Sequence, residues 1–364
     1  MASLMLWFRV VIAVLLLGFA AGCDSGANTS GGTASRAPGG GGPSEVRIGY
    51  FANLTHAQAV LGVSSKDFDN AVAPAKVTTK VFNAGPSLIE ALFAGEIDVG
   101  YVGPGPALNA HAKSHGQGIR VISGAAANGV LIVARKDSGI QKLEDLKGRR
   151  LATPQVANTQ DIAARYYLTH QLGQKDQSNV IAVPNAEQAA MMSGGQIDAS
   201  WAPEPWGSFL VAQAGAKVIG QEKDLWPQKN FSITVVVTTP EFLAKYPGTV
   251  EKLLSAHRTW TERLNKEPAK YVPQLKAALY DLTRKQLPEG VVESALANTT
   301  FTDEPLPHTF DTMAAWSYEV GYAKEKSDVG GLVETTIVRK LQGGAAPTAA
   351  PTAAAPAPGA KDGG

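Results

Sequence analysis

The chain has 364 residues, a formal net charge of +1 and one cysteine. A near-neutral balance with no basic face or arginine run argues against a nucleic-acid partner. One cysteine excludes an intramolecular disulfide, and His111, His115, His170, His257 and His308 are scattered without metal-ligand spacing, so no metal site and no cofactor are expected.

The N-terminus reads as a targeting segment. Arg9 precedes an apolar run over residues 10–21 that is too short and too poorly flanked for a stable membrane span. The run ends in Ala20-Ala21-Gly22-Cys23. Small residues before a lone cysteine resemble a bacterial lipoprotein signal, in which Cys23 is lipidated and becomes the mature N-terminus. A plain secretory signal with a chance cysteine is the alternative. Residues 24–44 are rich in Gly, Ser, Thr, Ala and Pro and read as a disordered tether; residues 343–364 read as an Ala/Pro/Gly tail of the same kind. The folded part is expected over about 45–342, long enough for two medium lobes.

Residues 46–51 alternate like a strand. Asn53 to His56 then starts a helix, with Asn53 or Thr55 as its cap. Residues 76–82 are the next strand, and Ser87-Leu88-Ile89-Glu90 reads as a capping box opening a helix that stops at Gly95. Strands are expected at 97–102, 120–123 and 129–134, a helical turn at 143–146 and a strand at 150–153. Residues 159–172 form an amphipathic helix stopped by Gly173. Short and long strands follow at 217–219 and 232–238, then helices at 242–264, 271–282, 289–297 and 310–324.

Two stretches echo each other about 100 residues apart: Gly95-Glu96-Ile97-Asp98-Val99-Gly100-Tyr101-Val102-Gly103-Pro104-Gly105-Pro106 and Gly195-Gln196-Ile197-Asp198-Ala199-Ser200-Trp201-Ala202-Pro203-Glu204-Pro205-Trp206. Each reads as a helix end, a glycine turn, a short apolar strand and a Pro-rich turn. A unit used twice predicts two α/β lobes built alike around parallel sheets, with a cleft between them. The long strands at 129–134 and 232–238 are read as the crossings, giving a discontinuous first lobe of 45–128 and 233–342 and an inserted second lobe of 129–232.

Gly49-Tyr50-Phe51-Ala52-Asn53-Leu54-Thr55-His56-Ala57, the glycine-rich turn after Asp98, the stretch from Ala152-Thr153-Pro154 to Asn158-Thr159-Gln160-Asp161, and Trp201-Ala202-Pro203-Glu204-Pro205-Trp206 occur in an order and spacing that resemble the solute-binding proteins of ABC importers for sulfonates, taurine, nitrate and bicarbonate. The resemblance implies a two-lobed type II periplasmic-binding fold, closure on one small anion, delivery to an ABC permease in the membrane, and an extracytoplasmic, lipid-anchored monomer.

Candidate ligand contacts fall on both lobes. Asn53, Thr55 and His56 sit at a strand end and helix start, where N–H groups suit an anion; capping alone is the alternative. Gly85, Gly103 and Pro104 bring backbone close to a ligand or simply shape turns, and Gly124 is a further candidate of that kind. Asn158, Thr159 and Gln160 open the second-lobe helix and face the first helix start; capping alone is again the alternative. Trp201 offers an apolar wall to an alkyl group. Glu204 either pairs with a ligand amine or braces another site residue; facing solvent or salt-bridging between lobes is the alternative. Arg47, Arg135, Lys136, Arg149, Arg150 and Arg165 are taken as solvated faces.

Among solutes, an aliphatic sulfonate leads, with nitrate, bicarbonate or a pyrimidine-like heterocycle as alternatives. Two other classes are weighed. Thiamine-pyrimidine synthases resemble the chain at a low level but carry a cysteine- and histidine-rich motif, whereas the only cysteine here lies in the export signal; no catalytic elbow appears, so no enzyme is expected. A lipid-anchored module presenting its ligand to a receptor is compatible with the same sequence.

Overall fold

The computed structural model describes residues 41–343. Cys23, the export segment and nearly all of the expected tether and tail lie outside them. Among the described residues no helix is long and apolar enough to cross a membrane.

Eleven strands among the described residues form two sheets. In chain order they are β1 (Glu45–Phe51), β2 (Lys76–Phe82), β3 (Val99–Val102), β4 (Arg120–Asn128), β5 (Val130–Ala134), β6 (Leu151–Thr153), β7 (Val180–Ala182), β8 (Ala199–Pro203), β9 (Lys217–Gln221), β10 (Ser232–Thr238) and β11 (Thr299–Phe301). The first sheet runs β11-β4-β10-β3-β1-β2 and the second β7-β6-β8-β5-β9. Each sheet is mixed, which corrects the expectation of parallel sheets. β1 pairs in parallel with β2 and β3, but β10 is antiparallel to β3 and β4. In the second sheet β6 is parallel to β7 and β8, while β5 is antiparallel to β8 and β9. β5, β10 and β11 run against the βαβ direction of their sheets, and of these β5 and β10 are the strands entered from the passages between the lobes.

The sequence echo has a concrete structural basis. In the first lobe the Asp98 carboxylate accepts from the Arg47 backbone N–H at 2.8 Å and from its Nε at 2.9 Å. The Asp98 N–H donates back to the Arg47 carbonyl at 2.8 Å. In the second lobe Asp198 repeats this on Arg150: backbone N–H at 3.1 Å, Nε at 2.9 Å, and Asp198 N–H to the Arg150 carbonyl at 2.8 Å. Arg135 adds a further contact to Asp198 at 3.1 Å. The Arg150 hydrogen bonds are the main cause holding the Asp198 carboxyl well below the usual carboxylate range, against the opposing effect of burial. Arg47, Arg135 and Arg150 are therefore clasp residues and not merely solvated faces. A planar guanidinium engages one carboxylate through two nitrogens, and this fixes strand register as well as charge.

Helix starts differ from the sequence reading in one instructive way. The two Pro-rich segments were read as turns; each instead leads into a helix, Pro104–Lys113 and Trp206–Ala214. Proline in the first helical turn loses only an N–H that has no intrahelical partner. Likewise helix Gly85–Phe93 begins two residues before Ser87, with Pro86 in its first turn and no side-chain cap. The helix expected over 242–264 is two, Pro240–Lys245 and Pro247–Lys266, separated at Tyr246 before Pro247. Helix Thr159–Tyr166 is capped by the residue read first as a ligand contact: Asn158 Oδ1 accepts the Asp161 N–H at 2.8 Å, and Asp161 Oδ2 accepts the Ala157 N–H at 2.9 Å. It continues as a wider turn, Tyr167–Gln171.

Two passages connect the sheets. At the first, β4 runs into β5 through Asn128 and Gly129, both with positive φ (62° and 71°). A Cβ on Gly129 would also meet Thr299 Oγ1 at 2.6 Å, so no other residue fits there unstrained. The second leaves β9 through the turn Glu222–Leu225 and enters β10 after Phe231. Glu222 pins this passage. It is fully buried and accepts the indole N–H of Trp201 at 2.7 Å and of Trp226 at 3.1 Å. Trp226 in turn stacks on Phe231 with centroids 4.6 Å apart. With no cation against it, burial pushes the Glu222 pKa up to about 7.

Two predictions follow from these pins. Asp198→Asn should lower the thermal midpoint clearly more than Glu96→Gln, whose exposed pair with Lys80 is worth at most about 1 kcal/mol. Equal shifts in differential scanning calorimetry would deny the clasp its role. For Glu222 the folded-state pKa lies above the ordinary 4.5, so the native state holds the extra proton. The associated stability is complete below about pH 4.5 and is lost as pH rises through about 7. The stability advantage of wild type over Glu222→Gln should therefore shrink as pH rises across that window. A pH-independent gap in urea titrations would refute it.

Candidate functional site

One cavity lies between the lobes. It is lined by Phe51, Asn53, Thr55, His56, Gly85, Gly103 and Pro106 from one side, by Asn158, Thr159, Gln160 and Pro203 from the other, and by Ile233 and Thr234 of β10. Counted as room for the centre of a water-sized sphere, its volume is about 20 Å³. That admits one small group, so the cleft is closed. Closure is held by direct bonds across it. The Gly105 N–H donates to Thr159 Oγ1 at 3.2 Å, Trp206 Nε1 donates to Asn53 Oδ1 at 2.8 Å, and Gln155 Nε2 donates to Ser87 Oγ at 3.3 Å.

Two glycines let the walls come this close. A Cβ on Gly103 would sit 2.3 Å from Thr159 Oγ1, and one on Gly85 would sit 2.3 Å from Pro106 Cγ. The first approach lies across the cleft; the second packs helix Gly85–Phe93 against helix Pro104–Lys113.

The lining contains no Asp, Glu, Lys or Arg. Its one titratable group is His56, which is 2% exposed; burial pushes its pKa down to about 3, so the ring is neutral. His56 Nδ1 accepts the Phe51 N–H at 3.3 Å, which places the proton on Nε2. Two further lining residues each carry a buried polar atom without a partner among the described residues, Gln160 Nε2 and Thr234 Oγ1. A buried polar atom left unpaired costs on the order of 1–3 kcal/mol, so two of them on residues lining one cavity favour a polar occupant. The cavity can hold a small acceptor-rich group with neutral donors and no counter-charge.

Of the expected residues, Asn53, Thr55, His56, Gly85, Gly103, Asn158, Thr159 and Gln160 are brought together here. Pro104, Gly124, Trp201 and Glu204 are not. Pro104 opens its helix behind Gly103. Gly124 lies within β4, where an added Cβ would meet the Glu304 carbonyl oxygen at 2.3 Å. Trp201 is fully buried in the second lobe, bonded to Glu222 and tilted against Tyr167, so it forms no wall of this cavity. Glu204 is also fully buried. Its carboxylate accepts from the Ser208 N–H at 3.0 Å, the Ser208 hydroxyl at 2.8 Å and Asn298 Nδ2 at 2.7 Å. Burial raises its pKa and these three donors counter the rise.

The first helix start also behaves differently from the reading as an anion cradle. Asn53 makes no side-chain cap. The Leu54 and Thr55 N–H groups donate to the Glu204 carbonyl, at 3.0 and 3.5 Å. A backbone oxygen from the other lobe thus occupies donors that were expected to meet an anion. Sequence reasoning also missed Thr234. It lies in the apolar, β-branched strand Ser232–Thr238, and what marks it out, a fully buried hydroxyl without a partner among the described residues, leaves no signal in the sequence.

Known proteins share this architecture. The alkanesulfonate-binding protein SsuA from Xanthomonas axonopodis pv. citri, solved with MOPS bound, superposes with a TM-score of 0.68 at 21% identity, covering 81% of this chain and 99% of that one. The periplasmic nitrate-binding protein NrtA from Synechocystis PCC 6803 gives a TM-score of 0.69 at 14% identity, covering 82% and 88%. These likenesses show the fold: the chain has the two-lobed α/β architecture of periplasmic binding proteins. In sequence, a Bacillus subtilis (strain 168) protein provisionally named as binding aliphatic sulfonates is 26% identical over 346 residues, 91% of this chain and 95% of that protein. The taurine-binding periplasmic protein of Escherichia coli (strain K12) is 24% identical over 179 residues, 49% of this chain and 54% of that protein. A sequence model of the NMT1-like family matches residues 39–273, well over half of the chain, and the chain therefore belongs to the NMT1-like family.

Proposed function

We propose that the protein is the extracytoplasmic solute-binding component of an ABC importer, capturing a small anion, foremost an aliphatic sulfonate, between its lobes and delivering it to a membrane permease. The observation that carries this reading is the closed cavity between two lobes, lined by neutral donors from both and by no charged side chain. A sulfonate keeps one diffuse negative charge and offers three acceptor oxygens, which suits several neutral donors held by the fold. The sulfonate- and taurine-binding relatives support the same solute class. The reading is of a binding protein and not an enzyme. Export, lipidation at Cys23 and the tether of residues 24–44 would keep it beside its permease as a monomer. The lobes are assigned as 45–128 with 233–342, and 129–232, hinged at the two passages described above. Binding energy goes into closing this hinge, and the closed form is the one the permease meets.

Calorimetry with methanesulfonate, taurine, nitrate and bicarbonate tests the solute assignment. A sulfonate is expected to bind tightest, and Gln160→Ala or Thr234→Val to weaken it by roughly ten- to a hundredfold, from one lost donor each. Wild-type affinity in both variants would move the solute out of this cavity. Gly103→Ala tests closure. Its added methyl group would fall on Thr159 Oγ1, so the cleft should stay ajar and affinity should drop about tenfold or more. Small-angle scattering should then show no compaction with solute; wild-type compaction and affinity would remove closure from the account. Radiolabelled lipid on wild type and none on Cys23→Ser is the expected result for the anchor, and an unlabelled wild type would exclude it.

A further inference from the structure

We infer that this cavity discriminates by protonation: it accepts oxyanions that carry no O–H, and it rejects isosteric anions that still carry one. This rests on the cavity being the solute site and narrows the solute class.

The argument is one of orientation. An amide or an imidazole can turn either a donor or an acceptor to a ligand, so what it presents depends on its other partner. Here that partner is in each case a group that can only donate, or one fixed by such a group. Asn53 Oδ1 is taken by the Trp206 indole N–H at 2.8 Å, which leaves the Asn53 NH₂ for the cavity. His56 Nδ1 is taken by the Phe51 backbone N–H at 3.3 Å, which leaves Nε2–H. Asn158 Oδ1 is taken by the Asp161 backbone N–H at 2.8 Å, so the Asn158 NH₂ faces Gln160. That NH₂ donates to Gln160 Oε1 at 3.1 Å, and the unpartnered atom of Gln160 is accordingly its NH₂. Thr159 Oγ1 is taken by the Gly105 N–H at 3.2 Å, and the hydroxyl proton remains to be placed. Each of these groups already accepts a hydrogen bond inside the protein, and that bond fixes which end of it is left to donate.

Threonine hydroxyls can accept as well as donate. A hydroxyl that accepts must still place its own proton, and Thr234 Oγ1 has no protein partner among the described residues. A ligand O–H entering this cavity therefore meets mainly donors, and a threonine hydroxyl that accepts it must place its own proton anew. A fully deprotonated head group with acceptors only satisfies every one of them. Specificity of this kind comes from a mispaired donor rather than from size, since a sulfonate and a hydrogenphosphonate have nearly the same shape and charge.

Trp206 is the positioning residue in this scheme. It lines no part of the cavity, but its indole N–H sets which end of Asn53 does. Asn158 does the same for Gln160 through its amide NH₂.

The test uses the full folded chain and two isosteres. In mildly acidic buffer methanesulfonate and methylphosphonate each carry one negative charge, and only the phosphonate carries an O–H. Calorimetry should show methanesulfonate bound roughly ten- to a hundredfold more tightly. In Trp206→Phe, Asn53 is released to turn its carbonyl inward, and the ratio of the two affinities should contract several-fold. Asn158→Ser keeps a capping oxygen for Asp161 but releases Gln160, and should contract the ratio in the same way if the Trp206 variant does not fold. General loosening of the site would lower both affinities and leave their ratio intact, which would overturn the positioning role. Equal affinities in wild type would overturn the discrimination while leaving the solute site standing. Failure of wild type to bind methanesulfonate or any larger sulfonate would overturn the solute assignment itself, and this inference with it.

Discussion

Glu204 joins the two lobes in a way that organises much else. Its carbonyl receives the Leu54 and Thr55 N–H groups of the opposite helix start, and its carboxylate is buried among Ser208 and Asn298. A buried carboxylate is tolerable only when donors surround it, and here three do. The side chain thus fixes the backbone whose carbonyl bridges the cleft. The next helix, Trp206–Ala214, starts from this anchored corner, which places the Trp206 indole against Asn53. One satisfied carboxylate therefore underlies the inter-lobe backbone contact and, one step further, the orientation of an amide in the cavity.

The electrostatic design divides along the same lines. Full charges are kept at the outer clasps, where Asp98 and Asp198 meet their arginines, and out of the cavity lining, which is neutral. An anion held by neutral donors needs those donors fixed in advance, because there is no long-range attraction to compensate for poor geometry. The network behind the lining supplies that fixity. It also explains why a chain with a net charge of +1 can be a plausible anion receptor: the bulk charge is irrelevant to a site built from local dipoles.

Much of this was legible in the sequence, for reasons that are local. β2 and β10 fall where alternation and β-branching put them, at Lys76–Phe82 and Ser232–Thr238. The cap at Asn158 is likewise a local hydrogen bond between residues three apart. The echo announced two like lobes because the same strand-edge clasp was needed twice. What stayed hidden was pairing at long range. β7 and β11 have three residues each and exist only because a neighbouring strand is there to receive them. Trp201 resembled a ligand wall because an aromatic residue near a proline-rich segment reads the same whether its ring faces cleft or core; the face is set by Glu222, 21 positions away in sequence. Proline misled for a related reason, since the residue that stiffens a turn is also the one that opens a helix. Thr234 was invisible because its significance is a missing partner, and a sequence cannot list partners.

The passage at Asn128 and Gly129 has a mechanical side. It joins β4 to β5, and both strands are interior members of their sheets: β4 lies between β11 and β10, and β5 between β8 and β9. A torsion change at the junction is therefore delivered to strands clamped on both edges, which cannot peel away from their neighbours. On the proposed hinge each sheet would turn as a plate, and the junction would act as the fulcrum of a lever whose long arm ends at the cleft rim. Small rotations near Gly129 would then become larger displacements there, so the left-handed pair would govern the gape of the mouth without touching whatever passes through it.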